Sequence, residues 1–300
     1  MARIALSGAS GLIGSRLRAA LAADGHRVSR FVRGAAAGEG DVPWDPSQGR
    51  LDPAALAGLD AVVHLSGEPV AGVRWTQARK REIVASRVAS THLVAETIAR
   101  VSPRPALLCA SAIGFYGDRG SEWLDEASPP GQDFLADVCV QWERACEPAR
   151  EAGARVANLR FGVVLDAHGG ALAPLALQHR LWLGGRLGAG TQFVSWISSH
   201  DLCAAVRHIL VSPALVGPVN VVAPAPVTNA EFSRTLGKVL RRPALLPVPA
   251  VVLRLALGEA AEGMVLASQR VRPAKLLASG FAFQDGELEP ALRRLLLDSQ

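Results

Sequence analysis

Three glycines close to the start of the chain have the residue type and the spacing to bind a phosphate group. Gly8, Gly11 and Gly14 follow a short apolar run at residues 4–6, and a helical pattern of apolar residues begins behind them. Glycine lets the backbone turn sharply and approach a ligand, and the free N–H groups at the start of a helix attract an anion. A strand, a glycine turn and a helix in this order predict a site for the pyrophosphate of a dinucleotide.

The charge at the end of the second predicted strand indicates which dinucleotide binds. This strand reads HRVSRFVR over residues 26–33, so that Arg33 follows Gly14 by 19 residues. NAD-specific sites usually carry a carboxylate at this point, yet none occurs between Asp24 and Glu39. A guanidinium can hold a 2′-phosphate through two parallel hydrogen bonds. We therefore predict NADP(H) as the cofactor, and the alternative is that Arg33 is a solvated strand end.

The composition is that of a globular protein without a nucleic-acid footprint. The chain has 300 residues, of which 49% are hydrophobic, and a formal net charge of +5 from 32 basic and 27 acidic residues. The arginines are scattered and form no basic run, so no specific nucleic-acid partner is expected. No apolar stretch reaches the length of a membrane span, and no signal segment is recognisable. These features predict a cytoplasmic protein without a membrane partner.

The cysteines and histidines show no spacing that is typical of a disulfide frame or a metal site. Cys109, Cys139, Cys146 and Cys203 lie in apolar or helical stretches and are expected to be reduced core thiols. The seven histidines form neither an HxxxH nor an HExxH motif, so no metal is expected. His64 lies within an apolar strand pattern and is expected to be buried and hydrogen-bonded.

The elements that must position these residues alternate between strands and helices. Apolar strand patterns occur at residues 60–67, 106–111 and 154–161, and helical patterns cover 76–100 and 133–152. Such alternation produces right-handed βαβ units and a parallel sheet. The predicted fold class is therefore α/β, with a Rossmann-type doubly wound parallel sheet and a smaller, mainly helical C-terminal region.

The boundary between these two regions is expected close to Asp166. Beyond this residue, links rich in glycine and proline separate shorter elements. We expect a dinucleotide-binding Rossmann domain over residues 1–166, completed by a returning segment at 194–225. Residues 167–193 and 226–300 are expected to form a smaller substrate-binding or lid region.

Several motifs resemble those of the extended short-chain dehydrogenases/reductases, the group of NAD-dependent epimerases and dehydratases. The GxxGxxG spacing and the segment LRFGVV at 159–164 are typical of that group. Further motifs resemble its atypical YfcH-type subgroup, whose reaction is generally unassigned. They are HLSGEPV (64–70), RW (74–75), Ser86 and Arg87 with Thr91, SAIGFYG (111–117), WE (142–143) and GGRLGAGTQFVSWI (184–197). The segment 249–283 is similar to the subgroup's small C-terminal domain, which we expect to span residues 249–296.

The resemblance implies a set of residues around the cofactor. Those at the glycine turn would hold the pyrophosphate, those of the second strand would meet the 2′-phosphate, and those after the third strand would approach the ribose. Three later residues would face the cofactor or its nicotinamide. In chain order the set is Gly8, Ser10, Gly11, Leu12, Ile13, Gly14, Val32, Arg33, Leu65, Ser66, Gly67, Glu82, Arg87 and Val164. A place on the helix surface is the alternative for Arg87, and a local ion pair with Arg79 is the alternative for Glu82.

The catalytic pair that such reductases use has no counterpart in this chain. It is a Tyr-x-x-x-Lys pair, in which the lysine lowers the tyrosine pKa and the tyrosine passes a proton to the substrate carbonyl. The chain has a single tyrosine, Tyr116, and the residue four positions later is Gly120. The helix that should carry the pair reads FLADVCVQWE over residues 134–143. The composition therefore excludes the usual dyad.

Two hydroxyl groups remain as candidates for catalysis. Ser111 is a candidate hydrogen-bond donor to a substrate carbonyl, and a strand-end serine that satisfies backbone groups is an equal alternative. Tyr116 is the second candidate, with its ring lining the pocket and its hydroxyl pointing into it. Cys139 lies on an apolar helix pattern and is expected to be a core thiol rather than a replacement acid.

Acidic residues in two other places are expected to have structural roles. Asp201 is expected to cap a helix or to lie in its first turn. Glu122, Asp125 and Glu126 are expected in a solvated loop, and contact with a substrate hydroxyl or a cation is the alternative.

Three tryptophans are expected near the ligand. Trp75, Trp123 and Trp196 fall in or beside predicted loops, where amphipathic rings often line a pocket. The sequence therefore predicts an aromatic-lined cleft between the two regions, close to the glycine turn.

Two functions fit these observations. The first is an NADP(H)-dependent oxidoreductase or epimerase-like enzyme that acts on a small carbonyl or sugar-nucleotide substrate, which the sequence does not name. The alternative is an NADP(H)-binding sensor or scaffold without turnover. The oligomeric state stays open, and a homodimer paired through the helices at 76–100 and 133–152 is one expectation that the resemblance implies.

Overall fold

The computed structural model describes residues 1–34, 38, 40–71 and 74–297, and its centre is an eight-stranded sheet. The strands of the described chain are β1 (Arg3–Ser7), β2 (Arg27–Arg33), β3 (Val42–Asp45), β4 (Arg50–Leu51), β5 (Ala61–His64), β6 (Ala106–Ala112), β7 (Trp123–Leu124), β8 (Val156–Phe161), β9 (Val163–Asp166), β10 (Gly169–Gly170), β11 (Phe193–Val194), β12 (Trp196–Ser198), β13 (Gly217–Val221), β14 (Val227–Thr228) and β15 (Arg270–Val271). The order across the main sheet is β13-β8-β6-β5-β1-β2-β3-β4, and every neighbouring pair is parallel except β3 with β4. This strand order confirms the doubly wound α/β fold, whose order reverses beside β1 and leaves a crevice there.

Helices and three small sheets complete the described structure. The small sheets are β10-β9-β12, β11-β14 and β15-β7. The α-helices are α1 (Leu12–Ala23), α2 (Gln77–Ala99), α3 (Phe134–Arg144), α4 (Glu147–Glu151), α5 (Leu172–Arg180), α6 (Ser199–Val211), α7 (Asn229–Leu240), α8 (Ala250–Leu257), α9 (Glu259–Ala261), α10 (Ala274–Ala278) and α11 (Leu288–Leu296), with a π-helical turn at Glu262–Leu266. None of the helices within the described ranges is both long and apolar enough to span a membrane.

The two long helices that the sequence predicts differ in how well they match the structure. The prediction at 76–100 is confirmed by α2, whose first turn is capped where the Thr76 hydroxyl accepts a hydrogen bond from the Arg79 amide at 3.2 Å. The prediction of one helix over 133–152 is wrong, because α3 ends at Arg144 and α4 begins at Glu147. Pro148 lies in the first turn of α4, and its ring has no N–H to continue the hydrogen bonds of α3.

Helices cover both faces of the main sheet. Alternate residues of β1 point to opposite faces, so that Ile4 and Leu6 belong to a cluster with α1 and α6, while Ala5 belongs to one with α2 and α3. Burial on both faces explains why these strands are apolar throughout rather than alternating.

A third apolar cluster lies in the C-terminal half of the chain. Trp196 on β12 packs there against α5, α7 and α11, and its exposed fraction is 0%. Strand β13 from the same half joins the main sheet beside β8. The domain boundaries expected at residues 166, 194 and 226 stay predictions.

Candidate functional site

The turn after β1 has the close backbone approach that its glycines were expected to allow. Gly8 has a φ of +66°, and the Gly11 amide donates to its carbonyl oxygen at 3.0 Å. A Cβ atom on Gly14 would overlap that same carbonyl oxygen, and one on Gly8 would lie 3.0 Å from the Leu65 carbonyl. Larger residues at either position would therefore push the turn away from β5 and α1.

A cavity of about 1010 Å³ opens at the carboxyl ends of β1, β2 and β5. It lies at the reversal of strand order, where doubly wound sheets bind their ligands. Eight of the residues implied for the cofactor line it, namely Gly8, Ser10, Gly11, Val32, Arg33, Leu65, Ser66 and Gly67.

Arginines surround the part of this cavity beside β2. Arg33 and Arg18 both line it, and neither has a carboxylate partner among the residues that the structure describes. Arg30 also lines it, but both carboxylate oxygens of Asp41 accept hydrogen bonds from its guanidinium, at 2.9 and 2.7 Å. As far as the described residues show, two guanidinium groups of the cavity lining are therefore available to an anion.

A buried histidine fixes the loop after β5. His64 Nδ1 lies 2.7 Å from the Ser7 hydroxyl, and Nε2 lies 3.2 Å from the Ser90 hydroxyl. Ser7 also accepts hydrogen bonds from the amides of Leu65 and Ser66. Burial lowers the pKa of His64 to about 4, so the ring is neutral near neutral pH. The expectation of a buried, hydrogen-bonded histidine is confirmed.

The remaining residues of the implied cofactor set do not line this cavity. Arg87 is buried behind Gly67, and its guanidinium lies over the Trp142 ring at 5.0 Å, so the alternative of a surface position for Arg87 is wrong. Glu82 is exposed and pairs with Arg79 at 3.0 Å, which is the local ion pair weighed from the sequence. The others, Leu12, Ile13, Gly14 and Val164, are intermediate in exposure or buried.

The register of three adjacent strands brings a second set of polar residues together. Ser111 on β6 pairs with Arg160 on β8, which in turn pairs with Asn220 on β13. All three residues are buried. Because parallel strands in register place their side chains side by side, this row lies across the sheet near the carboxyl ends of its strands.

Glu143 and Tyr116 complete this row into a hydrogen-bonded network. The Ser111 hydroxyl donates to Glu143 Oε1 at 2.8 Å, and Arg160 donates to both Glu143 carboxylate oxygens at 2.7 and 2.9 Å. The Tyr116 hydroxyl donates to Asn220 Oδ1 at 2.7 Å and accepts from Arg160 Nη1 at 3.0 Å. Such two-point contact between a guanidinium and a carboxylate fixes the orientation of both groups.

The position of Tyr116 differs from the expected one. Its exposed fraction is 0%, it is not among the residues lining the cavity, and its hydroxyl is already hydrogen-bonded as donor and as acceptor. Burial raises the pKa of Tyr116 to about 12.

Cys139 and Glu143 are four residues apart on α3, the spacing of the missing Tyr-x-x-x-Lys pair. Cys139 is buried, and burial raises the pKa of its thiol to about 12, which agrees with the expected core thiol. All four cysteines are free and buried. The sequence reading missed Glu143 as a partner of Ser111, although its spacing from Cys139 was a usable signal.

Of the two expectations for acidic residues, one is wrong and one is confirmed. The solvated-loop reading is wrong for Glu126, which is buried and whose Oε1 accepts hydrogen bonds from the amides of Asn220 and Lys275. Asp201 lies in the first turn of α6, one of the two places expected for it, and Ser198 caps that helix. Asp201 instead accepts hydrogen bonds from the amides of Gln284 and Asp285.

The prediction of an aromatic cleft beside the glycine turn is wrong. None of its three tryptophans is among the residues that line the cavity. Trp75 packs against Phe134, Trp196 is buried in the C-terminal cluster, and Trp123 is exposed beneath the Arg270 guanidinium. The aromatic residues that do line the cavity are Phe31 and Trp44, which sequence reasoning did not single out.

One group of potential metal ligands occurs within the described ranges. His200, Asp201 and Asp285 offer ligand atoms that lie within 4.8 Å of one another. Asp285 faces Arg294 at 3.2 Å and Asp201 binds backbone amides, so both carboxylates have protein partners. The expected absence of a metal stays a prediction.

The sheet order and the glycine turn define a Rossmann-type protein of the extended short-chain dehydrogenase/reductase class. The chain belongs to the NAD-dependent epimerase/dehydratase family, whose model matches residues 4–222, and a domain of unknown function, DUF1731, matches residues 248–295. An epimerase family protein of Mycobacterium tuberculosis is 43% identical over 289 residues, 96% of each chain. The crystal structure of human epimerase family protein SDR39U1 (isoform 2) with NADPH has a TM-score of 0.89 at 33% identity and covers 98% of both chains.

A second solved structure is also similar to this chain. It is the nucleoside-diphosphate sugar epimerase from Corynebacterium glutamicum, with a TM-score of 0.83 and 37% identity. The match covers 98% of this chain and 58% of that one.

Proposed function

We propose that this protein binds NADPH in the cavity beside the glycine turn and is an NADPH-dependent oxidoreductase or epimerase-like enzyme. The observation that carries this proposal is the pair of arginines, Arg18 and Arg33, that line the cavity and have no carboxylate partner among the described residues. The human relative that was solved with NADPH supports the same cofactor. The tight cradle at Gly8 and Gly14 fits a pyrophosphate, because a Cβ atom at Gly14 would overlap the turn.

When bound, the nicotinamide would supply or accept a hydride. The residues of this chain would then bind the substrate and hold a proton near it. We propose Ser111 as the catalytic hydroxyl, in a proton relay with its hydrogen-bond partner Glu143. In oxidation the substrate hydroxyl would pass its proton to Ser111 as Ser111 passes its own to Glu143. In reduction the protons would move the opposite way, from a protonated Glu143 through Ser111 to the substrate oxygen. Arg160 orients Glu143, and Tyr116 acts through Arg160 as a positioning residue.

One observation favours a second candidate, an NADPH-binding sensor or scaffold without turnover. The only tyrosine of the chain is buried, and its hydroxyl is bonded to Asn220 and Arg160, so it has no free donor for a substrate. Ser111 is also buried and does not line the cavity, and its hydroxyl donates to Glu143. Such a protein would keep the cofactor cavity and have no use for a catalytic hydroxyl.

A substrate screen separates the two candidates. The protein is first titrated with NADPH, and aldehydes, quinones and nucleotide sugars are then tested for loss of NADPH absorbance. Turnover with any of them supports the enzyme, whereas tight NADPH binding without turnover supports the sensor or scaffold.

With a substrate in hand, Ser111→Ala and Glu143→Gln test the proposed catalytic pair. We expect kcat to fall by about 10²–10⁴ in Ser111→Ala, the range for loss of a proton-transfer group, and the NADPH dissociation constant to stay unchanged. Unchanged kcat in Ser111→Ala would remove Ser111 from the mechanism.

A further inference from the structure

A second concave surface, separate from the cofactor cavity, lies between the C-terminal half of α7 and the segment that follows it. We call it the cationic groove, and its volume is about 630 Å³. Its basic lining residues are Arg186, Arg234, Lys238, Arg241 and Arg242, and no carboxylate lines it.

Most of these cations lack an ionic partner in the protein. Lys238 pairs with Glu289 at 2.7 Å. No ion pair joins Arg186, Arg234, Arg241 or Arg242 to a carboxylate within the described ranges. Nε of Arg242 is moreover buried without a hydrogen-bond partner. Like charges gathered in this way repel one another, so the groove is a favourable site for an external anion.

An exposed apolar ridge borders the cationic groove. We use this name for Leu181, Trp182, Leu183, Leu245 and Leu246, whose exposed fractions run from 50 to 75%. The two stretches lie side by side, because the Leu246 amide donates to the Gly184 carbonyl at 3.0 Å. The ridge meets the groove where the Arg242 guanidinium lies over the Trp182 ring at 4.8 Å. Helix α8 continues the apolar character along the chain, with Val251, Val252 and Leu255 exposed.

Two helix ends meet at this surface. Trp182 has a φ of 65° and Arg241 a φ of 55°, and they are the two non-glycine residues with positive φ in the described ranges. Each ends a helix in a left-handed turn, which the Leu183 amide closes on the Gln178 carbonyl after α5 and the Arg242 amide on the Gly237 carbonyl after α7, both at 2.8 Å. These turns present an aromatic ring and a guanidinium to solvent.

We propose that the cationic groove and the apolar ridge attach this protein to membrane surfaces that contain anionic phospholipids. Lipid phosphates would pair with the four arginines that have no carboxylate partner in the described ranges, while Trp182 and the leucines enter the interface, where aromatic rings are favoured. Attachment of this kind needs no membrane-spanning helix, so it is compatible with the absence of such a helix from the described chain.

Other occupants fit these observations less well. A symmetric contact with a second copy would bring two sets of arginines together, which repel. A nucleic acid would pair with the arginines but would leave the leucine ridge against a hydrated phosphate backbone. A free phosphate would leave the ridge exposed to water.

Vesicle co-sedimentation of the intact protein tests the proposal. We expect binding to vesicles of equal parts phosphatidylcholine and phosphatidylglycerol, and little binding to phosphatidylcholine alone. R234E/R241E removes two cations and adds two anions, so it should weaken binding by at least roughly 25-fold, about fivefold for each cation lost. The control R104E/R144E changes the net charge equally at exposed arginines outside the groove and should bind like the unmodified protein.

The contribution of the ridge is tested separately. Trp182→Asn keeps a residue that tolerates positive φ, so the fold should persist, as checked by thermal unfolding. We expect it to weaken vesicle binding severalfold. Equal binding to both vesicle types, or unchanged binding in R234E/R241E, would overturn the proposal. Release from vesicles by millimolar inorganic phosphate at constant ionic strength would also overturn it, in favour of a free phosphate. NADPH affinity should stay unchanged in all these variants, so a failure here is distinct from a failure of the proposed function.

Discussion

Single side chains decide the chemistry of the cofactor cavity and of the polar network around Ser111 and Glu143, and Arg33 is the clearest case. It was found from the sequence because it follows the glycine turn at a spacing that the βαβ unit fixes. Arg18 lines the same cavity from α1, yet a helix-surface arginine has no spacing that distinguishes it in an arginine-rich chain.

Replacing Arg33 should change the choice between the two nicotinamide cofactors. In Arg33→Ala we expect the NADPH dissociation constant to rise by roughly 10- to 100-fold, since a charge-assisted contact to phosphate contributes about 1.5–3 kcal/mol. NADH affinity should change little. Isothermal titration measures both, and Arg27→Ala, an exposed arginine of the same strand that does not line the cavity, is the control. An equal loss of affinity for NADPH and for NADH in Arg33→Ala would show that Arg33 does not recognise the 2′-phosphate.

His64 should make the stability of the protein depend on pH. Burial lowers its pKa from 6.5 to about 4, so the unfolded chain binds a proton more readily than the folded one. The contribution of neutral His64 to the free energy of unfolding is therefore complete above pH 6.5. About 3 kcal/mol of it is lost as the pH falls towards 4.

Denaturant unfolding at a pH above 6.5 and at a pH near 4 measures this loss. In His64→Gln we expect the difference between the free energies of unfolding at the two pH values to shrink by about 3 kcal/mol, because other titrating groups contribute equally to both proteins. The same loss in both proteins would show that His64 titrates normally.

At the scale of the element, the two ends of α1 depend on two different properties of glycine. Gly14 has no room for a side chain, while Gly25, at the end of α1, has a φ of +80° and nothing within 4 Å of its Cβ position. The first is a matter of packing, and the second is a matter of backbone conformation.

This contrast gives a matched pair of variants. Gly14→Ala should lower the free energy of unfolding by about 1–3 kcal/mol and raise the NADPH dissociation constant at least about tenfold, because the methyl group displaces the Gly8 carbonyl. Gly25→Ala should lower the free energy of unfolding by about 1 kcal/mol and leave NADPH affinity unchanged. Denaturant unfolding and a cofactor titration test both. Normal NADPH binding by a folded Gly14→Ala protein would contradict the proposed pyrophosphate site.

Elements formed by local patterns were predicted well, and those shaped by a single residue were not. Helix α2 follows its apolar periodicity and its Thr76 cap. The break between α3 and α4 was missed because the apolar pattern runs on across Pro148, and proline is tolerated in a first turn. The pattern alone does not show whether proline interrupts a helix or begins one.

At the scale of the whole molecule, the homodimer stays a prediction, and an apolar face on α2 is where we expect its contact. Val84, Val88 and Phe134 line a cavity of about 750 Å³ along α2 and the start of α3. All three side chains are partly exposed. A two-fold contact through this face would cover them.

We expect sedimentation velocity to give a dimer, and Val88→Glu to give a folded monomer, since two buried carboxylates would face each other across the axis. Val216→Glu, at an exposed valine outside this face, is the control and should stay dimeric. A monomeric unmodified protein would contradict the expectation, and a dimer that survives Val88→Glu would assign the contact to another face.

The sequence by itself determined the alternation of strands and helices, the glycine turn and the arginine at the end of β2. Each of these depends on residues a few positions apart, or on the nearly constant length of a βαβ unit. Only the tertiary structure decided that Ser111, Arg160 and Asn220 lie in one row, that Glu143 bonds to two of them, and that Tyr116 is buried. These contacts join residues up to 104 positions apart, as between Tyr116 and Asn220. Strand register and helix packing set such distances, and no local spacing in the sequence encodes them.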